Sequence, residues 1–191
     1  KVDGTIVVTP AALTITTPDA NKVYDGNALT ADGTISGFVN GETATFATTG
    51  SQTEVGNSEN TYTLTWDGTA KETNYTVSDS VGTLKVTEQS IIPGPDPENP
   101  VPNYKGIKID DPSDVPYDGN EHKWTPVVTD KDGNELTEGT DYEVGYNKKD
   151  YTNVTGAIEV TITGKGNYTG SVIKSYQITP ASVRIKTNGA E

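Results

Sequence analysis

Four residues, Tyr24-Asp25-Gly26-Asn27, return as Tyr117-Asp118-Gly119-Asn120 after 93 positions. A second marker, Asn74-Tyr75-Thr76, recurs as Asn167-Tyr168-Thr169 at the same spacing of 93. Two independent markers at one period make the chain a repeat array, so it folds as a small unit used more than once. A module of about 80 residues buries only about 60 to 65% of the surface of its unfolded chain and is marginal alone. The chain has no cysteine, so no disulfide supplements that small core.

Two further echoes set the boundaries. Gly4-Thr5-Ile6-Val7-Val8-Thr9 matches Gly82-Thr83-Leu84-Lys85-Val86-Thr87 at an offset of 78, and Thr179-Pro180-Ala181-Ser182-Val183-Arg184-Ile185 matches Thr9-Pro10-Ala11-Ala12-Leu13-Thr14-Ile15. The expected organisation is a closing strand of a preceding repeat (1–9), a first module (10–88), a linker (89–102), a second module (103–180) and an opening strand of a following repeat (181–191). Residues 4–9 are expected to pair with a sheet edge. Methionine is absent, including at position 1, and no signal peptide or wall-sorting motif is present, so a longer parent chain is expected to carry both.

Polarity alternates with a period of two. Leu13 and Ile15, Ala44 and Phe46, and Tyr62, Leu64 and Trp66 are separated by Ala or Thr in the first module. Ile107 and Ile109, the Trp124 to Val128 segment, Tyr142 to Tyr146, Ile158 to Ile162 and 172–179 predict five strands in the second. β-Branched residues on the wet face suit antiparallel strands with one buried side. No twelve-residue window carries a helical stripe, leaving at most a short helix or turn near 27–32. The expected fold is all-β and mainly antiparallel: two small tandem β-sandwich or β-grasp-like modules in an elongated arrangement. Five prolines within 93–102 predict a polyproline II spacer, reaching roughly 30 Å at about 3.1 Å per residue.

Lys22-Val23-Tyr24-Asp25-Gly26, with Asn74-Tyr75-Thr76 and Gly82-Thr83-Leu84, resembles the MBG or YDG-type repeats of bacterial surface adhesins. The second module is similar to a related Gram-positive surface repeat through Gly139-Thr140-Asp141-Tyr142 and Gly164-Lys165-Gly166-Asn167-Tyr168-Thr169-Gly170, but carries Val115 where the first has Lys22. The resemblance implies small β modules strung along an extracellular, cell-wall-attached protein, where missing disulfides are usual, and mucin or matrix binding in some members. It implies a non-enzymatic stalk or spacer, with neighbouring repeats of the same chain as partners. A glycan- or mucin-binding module is the alternative.

Under that alternative Tyr24 and Tyr117 stack on a sugar face while Asp25 and Asp118 accept hydroxyl hydrogen bonds, host mucin or neutral glycans being the ligands. Under the simpler one the motif is a turn, with Asp capping backbone and Gly at positive φ. Trp66 and Trp124 are expected in the core. Tyr142, Tyr146, Tyr151 and Tyr168 form a glycan surface only if several face outward. A hairpin centred on Asp132-Gly133 explains the acidic run at 130–135 better than a calcium loop, and the same reading is given to Asp110, Asp111 and Asp114. Lys22 and Lys123 are the amines available for an isopeptide bond to Asn or Asp. The sequons at Asn74, Asn153 and Asn167 are expected to be bare.

The remaining classes are disfavoured. A net charge of −13, with 4 Lys against 10 acids in 1–87 and 10 Lys or Arg against 14 acids in 104–191, leaves no basic face for nucleic acid or anionic lipid. No apolar run reaches the roughly 18 residues of a membrane span. With one histidine, no cysteine and no nucleophile elbow or phosphate loop, no catalytic residue, metal ligand or cofactor is assigned.

Overall fold

A computed structural model describes residues 4–94 and 106–185. Among these there is no α-helix, only one 3-10 turn at Glu72–Asn74, and the remaining regular structure is strand. The chain divides into two compact units after Glu88. The predicted all-β class holds in each.

The first unit runs β1 (Ala11–Thr16), β2 (Ala20–Val23), β3 (Thr34–Ser36), β4 (Thr45–Thr48), β5 (Gly56–Glu59), β6 (Tyr62–Thr65), β7 (Tyr75–Ser80) and β8 (Thr83–Thr87). Its sheets are β3-β1-β7, β2-β8-β5 and the hairpin β4-β6. Alternation places Leu13, Ile15, Leu84 and Val86 inside at 0 to 2% exposure, with Thr and Lys outward between them. Leu13, Ala70 and Tyr75 gather Ile35, Phe38, Leu64 and Trp66 around them, and Trp66 stacks on Tyr75 at 5.8 Å. Among the described residues no α-helix lies in this unit, so it lacks the helix of a β-grasp.

Although most ladders are antiparallel, the first and last strands pair in parallel. β1 lies beside β7 over six residue pairs, Ala11 opposite Tyr75, and β2 beside β8 over four, Val23 opposite Thr87. The chain thus passes twice along one line, turning at Pro18 on the first pass and at Gly82 on the second. The two bends nest: a Cβ on Gly82 would lie 2.3 Å from the Pro18 carbonyl carbon. Only glycine fits there.

The second unit begins earlier than the sequence suggests. β9 (Gln89–Ser90) pairs in parallel with β15 (Tyr168–Thr169), and Ile91 is fully buried. Gln89 N–H donates to the Asn167 carbonyl at 2.9 Å and Ile91 N–H to that of Thr169 at 2.8 Å. Residues 89–91 are therefore an opening strand, not part of a linker. The physical reason is that their backbone groups and the Ile91 side chain find partners inside this unit. The proline-rich stretch, most of which lies outside the described residues, connects two parts of one unit, so its expected role as a spacer between modules is withdrawn.

The unit continues through β10 (Lys108–Ile109), β11 (Val115–Pro116), β12 (Val128–Thr129), β13 (Tyr142–Tyr146), β14 (Ile158–Gly164), β16 (Ser171–Tyr176) and β17 (Ile178–Thr179). β13, β14 and β16 form an antiparallel sheet whose buried face carries Ile158, Val160 and Ile162 at 0% exposure. β11 pairs in parallel with β17. The predicted strand around Trp124 is regular strand only at Val128–Thr129, since Pro126 lacks an N–H, and side chains hold much of the rest.

The segments at 4–9 and 181–185 correct a further expectation. Neither is in a strand. Ile6, Val8, Val183 and Ile185 are 84 to 91% exposed, with no sheet edge of the described chain against them.

Candidate functional site

The two Tyr-Asp-Gly-Asn motifs sit where each closing strand leaves its unit. Tyr24 N–H donates to the Thr87 carbonyl and Tyr117 N–H to that of Thr179, both at 2.8 Å, adding the last rung to the parallel ladder. The chain then reverses through a glycine at positive φ, 79° at Gly26 and 85° at Gly119, with open space around each Cα. Asp25 and Asp118 accept from the backbone N–H of Asn27 and Asn120 at 3.0 and 2.9 Å. These are Asx turns.

Each aspartate also accepts from a side-chain nitrogen. Lys22 Nζ donates to Asp25 Oδ1 at 2.6 Å and to the Asn27 carbonyl. In the second motif, where Val115 stands in place of that lysine, His122 Nε2 donates to Asp118 Oδ1 at 2.7 Å from the other side of the turn. Asn120 N–H first, then His122 and the Asn120 amide, hold the Asp118 carboxyl down at about 2. The predicted site residues are thus two local clusters, one per unit. Their carboxylates are engaged within the turn. Tyr24 is half-buried, and Tyr117 is exposed at 41%.

A cluster that sequence reasoning missed lies in the second unit. Tyr176 OH donates to the His122 carbonyl at 2.7 Å and accepts from Trp124 N–H at 3.1 Å, while Tyr146 OH donates to the Trp124 carbonyl at 2.9 Å. Lys123 Nζ stands 4.5 Å from the centre of the Tyr146 ring, which meets Tyr151 edge to face at 5.5 Å. These contacts fix residues 122–124 without a ladder and engage Lys123, one of the two candidate isopeptide amines. Burial raises the Tyr146 and Tyr176 phenols above their usual range. Tyr142 and Tyr168 are buried, so the tyrosines of this unit do not assemble the outward surface that glycan stacking requires. Trp124 is half-buried and donates to Asp110 at 3.3 Å.

The acidic runs are structural staples. Asp130 accepts from the N–H groups of Asp132 and Asn134, and Gly133 takes φ 85°, which is the predicted hairpin. Asp110 accepts from Val127 N–H and Asp114 from Gln177 N–H, tying their loop to neighbouring segments. Among the described residues no three acidic, histidine or cysteine side chains are gathered as a metal site.

Residues 13–85 match the family model of the MBG domain, YGX type. The first unit is an MBG domain. The match runs from inside β1 to inside β8, so it covers both parallel pairs and the turn between them. No curated protein matches the chain. Within the MBG domain the Tyr-Asp-Gly-Asn turn is the point at which the closing strand is locked.

Proposed function

We propose that this chain is a non-enzymatic repeat segment of a bacterial cell-surface protein, located outside the cell, whose work is to carry and space a distal region under tension. The observation that supports it is the parallel pairing of early with late strands in both units, β1 with β7 and β2 with β8 in the first, β9 with β15 and β11 with β17 in the second. When a unit is pulled from its two ends, β1 is drawn by its start and β8 by its finish. Parallel neighbours drawn this way load all their rungs together along the strand axis, whereas a hairpin peeled from one end breaks one rung at a time. The occupied turn aspartates agree with this role better than with ligand capture, and the MBG match is compatible with either.

Single-molecule extension of the whole chain tests it. The first unit, from 11 to 87, releases roughly 250 Å and the second, from 89 to 179, roughly 300 Å at about 3.4 Å per residue, so each event identifies its unit. Discrete high-force steps of these lengths are expected. Featureless extension at low force overturns the load-bearing reading, and binding of the folded chain to mucin or neutral glycans that is lost in Tyr117→Ala favours adhesion instead.

A further inference from the structure

The internal register says what the exposed segments at 4–9 and 181–185 are built to touch. In the MBG domain Ala11 lies opposite Tyr75 of the Asn-Tyr-Thr marker; in the second unit Gln89 lies opposite Tyr168, the same marker 93 residues on. Gln89 therefore occupies Ala11's place at an offset of 78, the offset that relates 4–9 to 82–87. The opening strand of the second unit follows the closing strand of the first with only Glu88 between them. This is one worked instance, on the chain itself, of a closing strand leading straight into the next opening strand.

The two exposed segments repeat that junction side chain by side chain. Val183 and Ile185 stand at the positions of Leu13 and Ile15, and Ile6 and Val8 at those of Leu84 and Val86. The reference residues are 0 to 2% exposed and their counterparts 84 to 91%. Gly4 stands at the position of Gly82, whose missing Cβ lets it nest on Pro18, yet Gly4 has nothing within 4 Å. Alternating β-branched residues and a close-approach glycine carry a cost when left in water. Their pattern matches the buried one.

We infer that residues 181–185 are the opening strand of a further β module of this same fold, docking in parallel beside its Asn-Tyr-Thr strand with Ala181 opposite the tyrosine. Residues 4–9 are correspondingly the closing strand of another such module, lying parallel to a strand equivalent to β2 and antiparallel to one equivalent to β5. The partner is thus a module lacking its own terminal strand. This goes beyond the load-bearing role, since it concerns which residues complete a module, whatever force the module carries.

The test extends the whole chain. Residues 16–94 are appended after Ile185, so that 179–185 take the place of 9–15 for a second copy of the MBG domain. A third cooperative unfolding transition is expected, with amide exchange at 182–185 slowed on the order of 100-fold relative to the unextended chain. Val183→Asp with Ile185→Asp is expected to abolish that transition and leave the other two intact. A positive control appends residues 9–94, in which the added domain keeps its own opening strand. If the control folds and the first chimaera does not, or if the double aspartate variant retains the third transition, the assignment is wrong. Force-extension results on the parent chain bear only on the proposed function, so the two failures are distinguishable.

Discussion

In the MBG domain the parallel ladders beside the opening and closing strands run for six and four residue pairs, whereas in the second unit each runs for two. The second unit places its longest pairing elsewhere, in β13-β14-β16, with five and six antiparallel pairs. The two units thus share their parallel terminal pairings but are kept closed in two ways. The MBG domain relies on backbone rungs at its ends. The second unit relies on a central sheet and on side chains such as Tyr146, Tyr176, Asp110 and Asp114 to fasten short or unladdered segments. Where pairing is short, a side-chain hydrogen bond of about 0.5 to 1.5 kcal/mol takes the place of a rung.

The largest test of this comparison concerns the boundary. Leu13→Ala and Ile91→Ala remove equivalent, fully buried side chains and should each cost about 2 to 5 kcal/mol. That is a large part of the about 4 to 12 kcal/mol available to a module of some 80 residues. Leu13→Ala should lower only the MBG transition, followed by Trp66, and Ile91→Ala only the second, followed by Trp124. A shift of the MBG transition by Ile91→Ala would place residues 89–91 in the wrong unit. In extension experiments the second unit should yield at lower force, because its parallel ladders share the load over fewer rungs. The reverse order would mean that the side-chain staples bear more than the rungs do.

A smaller effect is expected at Asn60, which has no counterpart among the described buried polar residues of the second unit. Its side chain is fully buried and donates at 3.0 Å to the carbonyls of both Pro18 and Ala31, while its own N–H donates to Gly82 at 2.8 Å. It clamps the corner where both passes of the chain bend. Asn60→Ala leaves two carbonyls without that donor and should cost about 1 to 3 kcal/mol, lowering the MBG transition in denaturant and leaving the second unchanged. Equal loss from both units would deny Asn60 this local role.

How much of this was legible follows from which interactions are local. Alternation in Leu13 to Ile15 and Ile158 to Ile162 revealed strands because one face is buried along the whole segment. β2, β5 and β11 were missed: Ala20-Asn21-Lys22-Val23 and Gly56-Asn57-Ser58-Glu59 carry little apolar pattern and are held by pairing with β8, a partner distant in sequence. The strand at residues 89–90 was hidden by the prolines after it, although extending the 78-residue offset past Thr87 would have reached it. The turn reading of Asp25 and Asp118 needed only neighbours within five residues. The Lys123, Tyr146 and Tyr151 cluster depends on three segments meeting, and no spacing rule announces it. The same logic explains the acidity, since many of the aspartates are local hydrogen-bond acceptors that settle loops.

The smallest effect concerns the two turns, and it asks whether His122 does for Asp118 what Lys22 does for Asp25. The Asp118 carboxyl is held near 2, below its ordinary 3.8, so the ionised form is favoured by folding. Its contribution is fully present above about pH 4 and is lost as pH falls through about 2. His122→Ala removes one of the groups that hold it down, so the carboxyl midpoint followed by NMR should move upward while the Asn120 N–H bond keeps it below the ordinary value. Adding Val115→Lys to that variant places an amine where the MBG domain has Lys22 and should bring the midpoint down again. Failure of the lysine to restore it would show that the two turns are closed by different geometry and that the histidine is no substitute for the missing lysine. Asp118→Asn, which keeps the shape but not the charge, should reduce the pH dependence of the second unit between pH 4 and 2, leaving the part that comes from Asp130 and Asp150, whose carboxyls are also held down, and leave that of the MBG domain as it was.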